Sequence, residues 1–178
     1  MSEGLEQSYR PTDKVGRVLF ALTKALALFG GAVVGLMAIM TTTSIFGRAF
    51  LSSPIAGDIE LIEIGTSTAV FAFLPYCQMV RGNIIVDFFL ASAPYRVKSF
   101  FDFIGGLMFL GIGCLLTWRM IFGGIDLYNY GETTGVLAIP RWISFPYGVL
   151  CLTLLVVVVA YTLLHPAPDT GDEPMIQE

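Results

Sequence analysis

The sequence is poor in the residues that carry most protein chemistry. It has one histidine, His165, near its end, and three cysteines, Cys77, Cys114 and Cys151, each in a separate apolar segment. Four-helix membrane cytochromes need axial ligands inside the bundle, usually two histidines, so a haem carrier is excluded. No CxxC occurs and no cysteine pair shares a polar loop, which argues against a disulfide framework, a zinc site or a thiol relay. The three cysteines read as small apolar packing residues. There is also no glycine-rich phosphate loop, no pair of catalytic carboxylates and no activated serine. The expectation is a chain without catalytic activity, cofactor or bound metal.

Charge is scarce as well. Only 13% of the 178 residues are charged, against about a quarter in a soluble domain. A net charge of −4, with Asp169, Asp172, Glu173 and Glu178 clustered in the tail, gives no footing for nucleic acid. What remains is apolar: 55% hydrophobic residues and a mean hydropathy of +0.75. That much apolar surface cannot be hidden in one small soluble core, and a bilayer is its natural solvent.

Four runs are long enough to cross. Residues 25–46 carry no charge, and at 1.5 Å per residue they cover the hydrocarbon core. The run is too long for a signal-peptide core, and no small-x-small cleavage site follows, so it is read as retained. Residues 61–80 form a second span, interrupted by Glu63, Pro75 and Gln78. Residues 100–122 form a third, with Asp102 and Arg119 near its ends, and 142–164 a fourth without charge. The fold class is therefore an all-α membrane protein. A cytoplasmic segment 1–23 precedes a membrane domain 24–164, and a cytoplasmic tail 165–178 follows.

Between spans two and three, Ile84, Ile85, Phe88 and Phe89 can share a helical face with Asp87 turned away, and Pro94 closes the stretch. Residues 84–93 are too few to cross, so they read as a short helix lying in the membrane interface. The segment 123–139, rich in glycine and threonine, reads as an outer loop held to the surface by Val136, Leu137 and Ile139.

Direction follows from basic residues. Arg10, Lys14, Arg17 and Lys24 precede span one, and Arg81, Arg96 and Lys98 lie between spans two and three. The other side has Arg48, Arg119 and Arg141. Seven against three places both termini in the cytoplasm. Trp118, Phe122, Tyr128, Tyr130 and Trp142 then form an outer aromatic belt, and Tyr76, Tyr95 and Tyr161 an inner one.

Ionisable groups inside spans are functional candidates by default. Glu63 and Arg119 fall at similar depth if span three ends near Phe122, which makes an ion pair between them reasonable, with Glu60 a competitor. A structural clamp, within the chain or to a partner, fits better than a proton relay, because no carboxylate lies deeper. Gly31-x-x-x-Gly35 and Gly65-x-x-x-Ala69 permit close helix approach, and Pro75 and Pro146 are candidate kinks. The residues singled out for structural or subunit-interface roles are Arg48, Glu60, Glu63, Gly82, Asp87, Arg119 and Pro146.

The order of short motifs resembles the small membrane subunit (DctQ type) of tripartite ATP-independent periplasmic (TRAP) transporters. The motifs are Gly47-Arg48, Gly57-Asp58-Ile59-Glu60-Leu61, Arg81-Gly82-Asn83-Ile84-Ile85-Val86-Asp87, Leu137-Ala138-Ile139-Pro140-Arg141-Trp142 and Phe145-Pro146-Tyr147-Gly148. Asn83 stands where relatives often carry histidine. The resemblance implies a bacterial inner-membrane helper and a large multispanning TRAP membrane subunit that carries the substrate and sodium sites. It also implies a periplasmic substrate-binding protein that delivers an organic acid. Membrane lipids are the remaining partners. The alternative reading is a small self-assembling channel or exporter, with polar faces of spans two and three lining a shared pore.

Overall fold

The structure, a computed structural model, describes residues 13–51, 55–80 and 95–165. Four α-helices follow one another: α1 Lys14–Leu51, α2 Asp58–Met79, α3 Tyr95–Tyr130 and α4 Ser144–Leu164, the last entered through a 3-10 turn, Arg141–Ile143. All four are long and apolar enough to cross a membrane. Among the described residues there is no sheet, only an isolated bridge between Thr133 and Pro140. The expected interfacial helix 84–93 lies outside the described residues.

The helices form a row in the order α1–α2–α4–α3, with a slight touch between α1 and α4. Small residues set the spacing. A side chain at Gly30 of α1 would meet Ala72 and the Ala69 carbonyl of α2, and one at Gly65 of α2 would run into Met37 of α1. Gly106 of α3 fits against Leu163, and Gly113 against Val156, both of α4. Lipid tails are as apolar as leucine, so close van der Waals fit of this kind, more than exclusion of water, joins membrane helices. Gly65 and Ala69 thus serve packing within the chain. Gly31 and Gly35 do not: nothing lies within 4 Å of either position.

The packed interior is built around α4. Leu152, Leu155 and Val159 are buried, with Phe71 and Leu74 of α2 on one side and Phe109, Leu110 and Met120 of α3 on the other. A second cluster joins Leu19 of α1, Met79 of α2 and Val158 and Tyr161 of α4. It sits at the end of the bundle that carries the chain termini. Beside it Gln78 donates to Thr162 Oγ1 at 3.3 Å, and the His165 ring stacks on Tyr161 with centroids 4.5 Å apart. Hydroxyls elsewhere donate back into their own helices: Thr42 to the Ala38 carbonyl, Thr68 to Ile64 and Thr117 to Gly113. This satisfies them without a water or a partner.

Two helices outrun the apolar segments that announced them. α1 has 38 residues and α3 has 36, roughly 57 and 54 Å of helix against a hydrocarbon thickness of about 30 Å. The expected outer loop from Gly123 is helical as far as Tyr130, because Gly123 and Gly124 are contact points. A side chain at Gly124 would meet Phe145 of α4 at 3.0 Å. Pro75 is accommodated inside a continuous α2. Pro146 is the third residue of α4, in the first turn, where a missing N–H leaves no bond unmade. It starts a helix and does not kink one. Of the cysteines only Cys151 is buried, while Cys77 and Cys114 are exposed, so the packing role expected of all three holds for one.

Candidate functional site

At the end opposite the termini, the α1–α2 and α3–α4 connections are drawn together by two carboxylates in the first turn of α2. Gly57, with φ 76°, turns the chain into the helix, and the side chain of Leu137 lies directly over it. A Cβ there would meet both a left-handed backbone and an occupied space. Asp58 follows. Its Oδ1 accepts the Ile59 N–H at 2.8 Å, and its Oδ2 accepts the buried Ser44 hydroxyl of α1 at 2.6 Å. The Arg48 guanidinium stands 3.6 Å from the same oxygen but is two-thirds exposed, so the hydroxyl bond fixes the geometry and the ion pair adds little.

Glu60, one step further on, faces the α3–α4 connection. Its Oε1 accepts the Val136 N–H at 2.6 Å and its Oε2 the Leu137 N–H at 2.9 Å. That connection is a tight hairpin over residues 131–140. Thr134 N–H donates to the Ile139 carbonyl, Ile139 N–H donates to Thr134 Oγ1, and Arg141 N–H donates to the Glu132 carbonyl. Ala138 at φ 52° aims the two amides at Glu60. Carboxylates at a helix N-terminus also sit favourably in the helix dipole. Asp58 therefore ties α1 to α2, and Glu60 ties α2 to the α3–α4 hairpin. No such bond chemistry performs a reaction; it holds a shape. Leu137 lies over Gly57 yet stays partly exposed, and Val136 is more exposed still and is held through its backbone.

Glu63 and Arg119 are not brought together. A side chain at Gly148 of α4 would run into Met120 of α3 and touch Phe71 of α2, and Gln78 of α2 bonds Thr162 of α4. Together these contacts place Arg119 deeper than Glu63 by roughly one to two turns of helix. α4 stands between the two helices. The matching depth expected from the sequence assumed that α3 ended near Phe122; its two further turns move Arg119 inward. Gly113 against Val156 and Gly124 against Phe145 set Arg119 level with about Leu150, roughly one turn from the middle of the membrane-length α4, and both charged residues are exposed on the bundle surface. Of the aromatic residues expected at the outer interface, Trp118 and Phe122 have rings 6.1 Å apart, and Tyr128 and Trp142 meet edge to face at 5.4 Å.

Pro146, with Met120, Gly124, Tyr128, Trp142 and Phe145, lines an apolar crevice of about 350 Å³ between α3 and α4. Gly82 and Asp87 lie outside the described residues. Among the described residues no cluster of histidine, cysteine or carboxylate groups has metal-binding geometry. Ser44 and Asp58 escaped the sequence reading as a pair, although an acidic residue directly after a glycine at a span entrance was the available signal.

The description "Tripartite ATP-independent periplasmic transporters, DctQ component" matches residues 37–168. The chain belongs to the DctQ family. No curated protein and no solved structure matches it. The matched stretch contains the whole carboxylate clamp, from Ser44 and Arg48 through Asp58 and Glu60 to the 131–140 hairpin. The Leu19 contact at the other end lies before it. As a DctQ-family member the chain is a membrane subunit of a transporter, in keeping with four membrane-length helices and a clamp whose only work is to fix connections.

Proposed function

We propose that this chain is the small, non-catalytic subunit that braces the large membrane subunit of a TRAP transporter. The large subunit carries an organic acid inward on a sodium gradient after a periplasmic binding protein has delivered it. The observation that supports this best is the open row of helices. α1 and α3 are largely unenclosed, α4 alone is substantially covered, and Glu63 and Arg119 face outward from membrane-length helices. Charged groups in that setting call for protein neighbours, and a row presents two broad sides on which to receive them. A transport pathway built within one chain needs broken helices in paired repeats, whereas α2 and α4 run unbroken.

The subunit sits in the bacterial inner membrane with both termini in the cytoplasm, as the basic residues favour. The clamp then faces the periplasm, where a rigid 131–140 hairpin forms part of the surface met by the binding protein. Native mass spectrometry of the chain co-expressed with the large subunit tests the assignment. A complex holding one copy of each supports it. Recovery of the chain only as oligomers of itself overturns it in favour of a self-assembling channel.

A further inference from the structure

We infer that Arg119 is neutralised by an acidic side chain of a second membrane-spanning protein, docked along the open face of α3. The inference rests on the family reading in one respect, that the second protein is the large subunit. The geometry is independent of it. Met108, Ile112, Leu115, Arg119 and Phe122 recur at helical spacing along one side of α3, and all five are exposed. Arg119 lies about one turn from the middle of the crossing, so roughly 10 Å of hydrocarbon separates it from the nearer headgroup layer. Snorkelling relieves arginines close to a helix end; an arginine this deep is a site for pairing with protein.

Among the described residues the chain offers it no anion. Asp126 is on the same side of α3 but seven residues away, about 10 Å. Glu63 is roughly one to two turns higher, on a helix that does not pack against α3. Asp58 and Glu60 are higher still and engaged in the clamp. A second copy of the chain fails for the same reason. Whether two copies ran parallel or antiparallel across a membrane, mid-depth would meet mid-depth, and among the described residues no carboxylate lies at that level. Phospholipid phosphates are confined to the headgroup layers. The complement is therefore an Asp or Glu at the centre of a different protein's span. Arginine suits the role because its planar fork binds a carboxylate through two parallel bonds.

The inference is tested in the complex of full-length chain and large subunit by photo-crosslinking. A benzophenone side chain is placed at Leu115, beside Arg119, and in a second variant at Ile121, on the crevice side of α3. Membrane levels of each chain are measured in parallel. Crosslinks to the large subunit are expected from position 115 and not from 121. Arg119→Gln and Arg119→Glu should lower the yield of complex at least about fivefold while the chain itself still inserts, and Arg119→Lys should keep most of it. If the wild-type chain co-purifies with the large subunit but position 115 gives no crosslink, or Arg119→Glu assembles normally, the α3 interface is wrong and the family assignment stands. If the wild-type chain does not co-purify, the assignment itself fails. Crosslinks from 115 to a second copy overturn the choice of occupant.

Discussion

Glu60 accepts the backbone N–H groups of Val136 and Leu137, one on each carboxylate oxygen, across 76 and 77 positions of sequence. A single side chain thus fixes the distance between the start of α2 and the α3–α4 hairpin. Two charge-assisted bonds of this kind are individually stronger than neutral ones, and they protect the amides they bind. Glu60→Ala should speed hydrogen exchange at Val136 and Leu137 on the order of tenfold or more, with α4 amides such as Leu155 unchanged. Glu60→Gln, which keeps one acceptor oxygen, should fall between. Equal exchange in wild type and Glu60→Ala would show that the hairpin holds itself.

Asp58 divides its oxygens differently, and the division predicts an order. The Ser44 hydroxyl is buried and 2.6 Å from Oδ2, while Arg48 is exposed and 3.6 Å away. Ser44→Ala should therefore lower the thermal midpoint of the purified chain more than Arg48→Ala, which should move it by no more than about 2 °C. Raised salt should leave the Ser44 effect intact. A larger loss from Arg48→Ala would make the ion pair the principal tie.

The number of helices, their order and their apolar centres were legible in the sequence, because predominantly apolar runs of about twenty residues, two of them without any charge, have few other uses. Where the helices end was not. Gly123-Gly124 looks like the start of a loop, since glycine weakens an isolated helix by roughly 1 kcal/mol each. In place, the missing side chains let Phe145 approach, and the helix runs on to Tyr130. That one misreading put Arg119 two turns too shallow and created an apparent pair with Glu63. Glu60 was legible as an interface residue, but its partners are backbone amides, which no side-chain pattern announces. The αL turns at Gly57 and Ala138 that aim them are visible only in the fold.

Gly30 and Gly31 are neighbours with opposite surroundings, which makes them a controlled pair. A Cβ at Gly30 would come within 2.8 Å of Ala72, and one at Gly31 would meet nothing within 4 Å. Gly30→Val should force α1 away from α2, with an overpacking cost of roughly 1–3 kcal/mol, seen as a lower thermal midpoint of the chain alone. Gly31→Val should leave the chain alone unaffected. A loss of complex with the large subunit in Gly31→Val would then place α1's open side at an interface. Equal destabilisation of the isolated chain by both would contradict the packing of α1 on α2.

Topology has its own test. With every cysteine replaced by alanine, single cysteines at Ser53 and Thr133 should react with a membrane-impermeant maleimide added from the periplasmic side. Cysteines at Ser8 and Thr170 should react only after permeabilisation. The ground is the excess of basic residues on the side of the termini, seven against three. Labelling of Ser8 or Thr170 in intact cells would invert the chain and turn the clamp toward the cytoplasm.

Glu63 and Arg119 should behave as independent sites. They differ in depth by roughly one to two turns, α4 separates their helices, and distant residues without shared partners are additive within roughly 0.5 kcal/mol. The chain carrying both Glu63→Arg and Arg119→Glu should therefore assemble with the large subunit no better than the two single changes combined. A direct pair would behave otherwise, because exchanging its members restores attraction. The two sites should also differ in kind. Glu63 lies level with the start of α4, close enough to the membrane edge for water to reach it, so Glu63→Gln should reduce complex yield mildly. Arg119 has no such relief, and its replacement should cost far more. Recovery of assembly in the exchanged double variant would mean that α2 and α3 meet in the complex, and would require the helix row to close on itself when the large subunit binds.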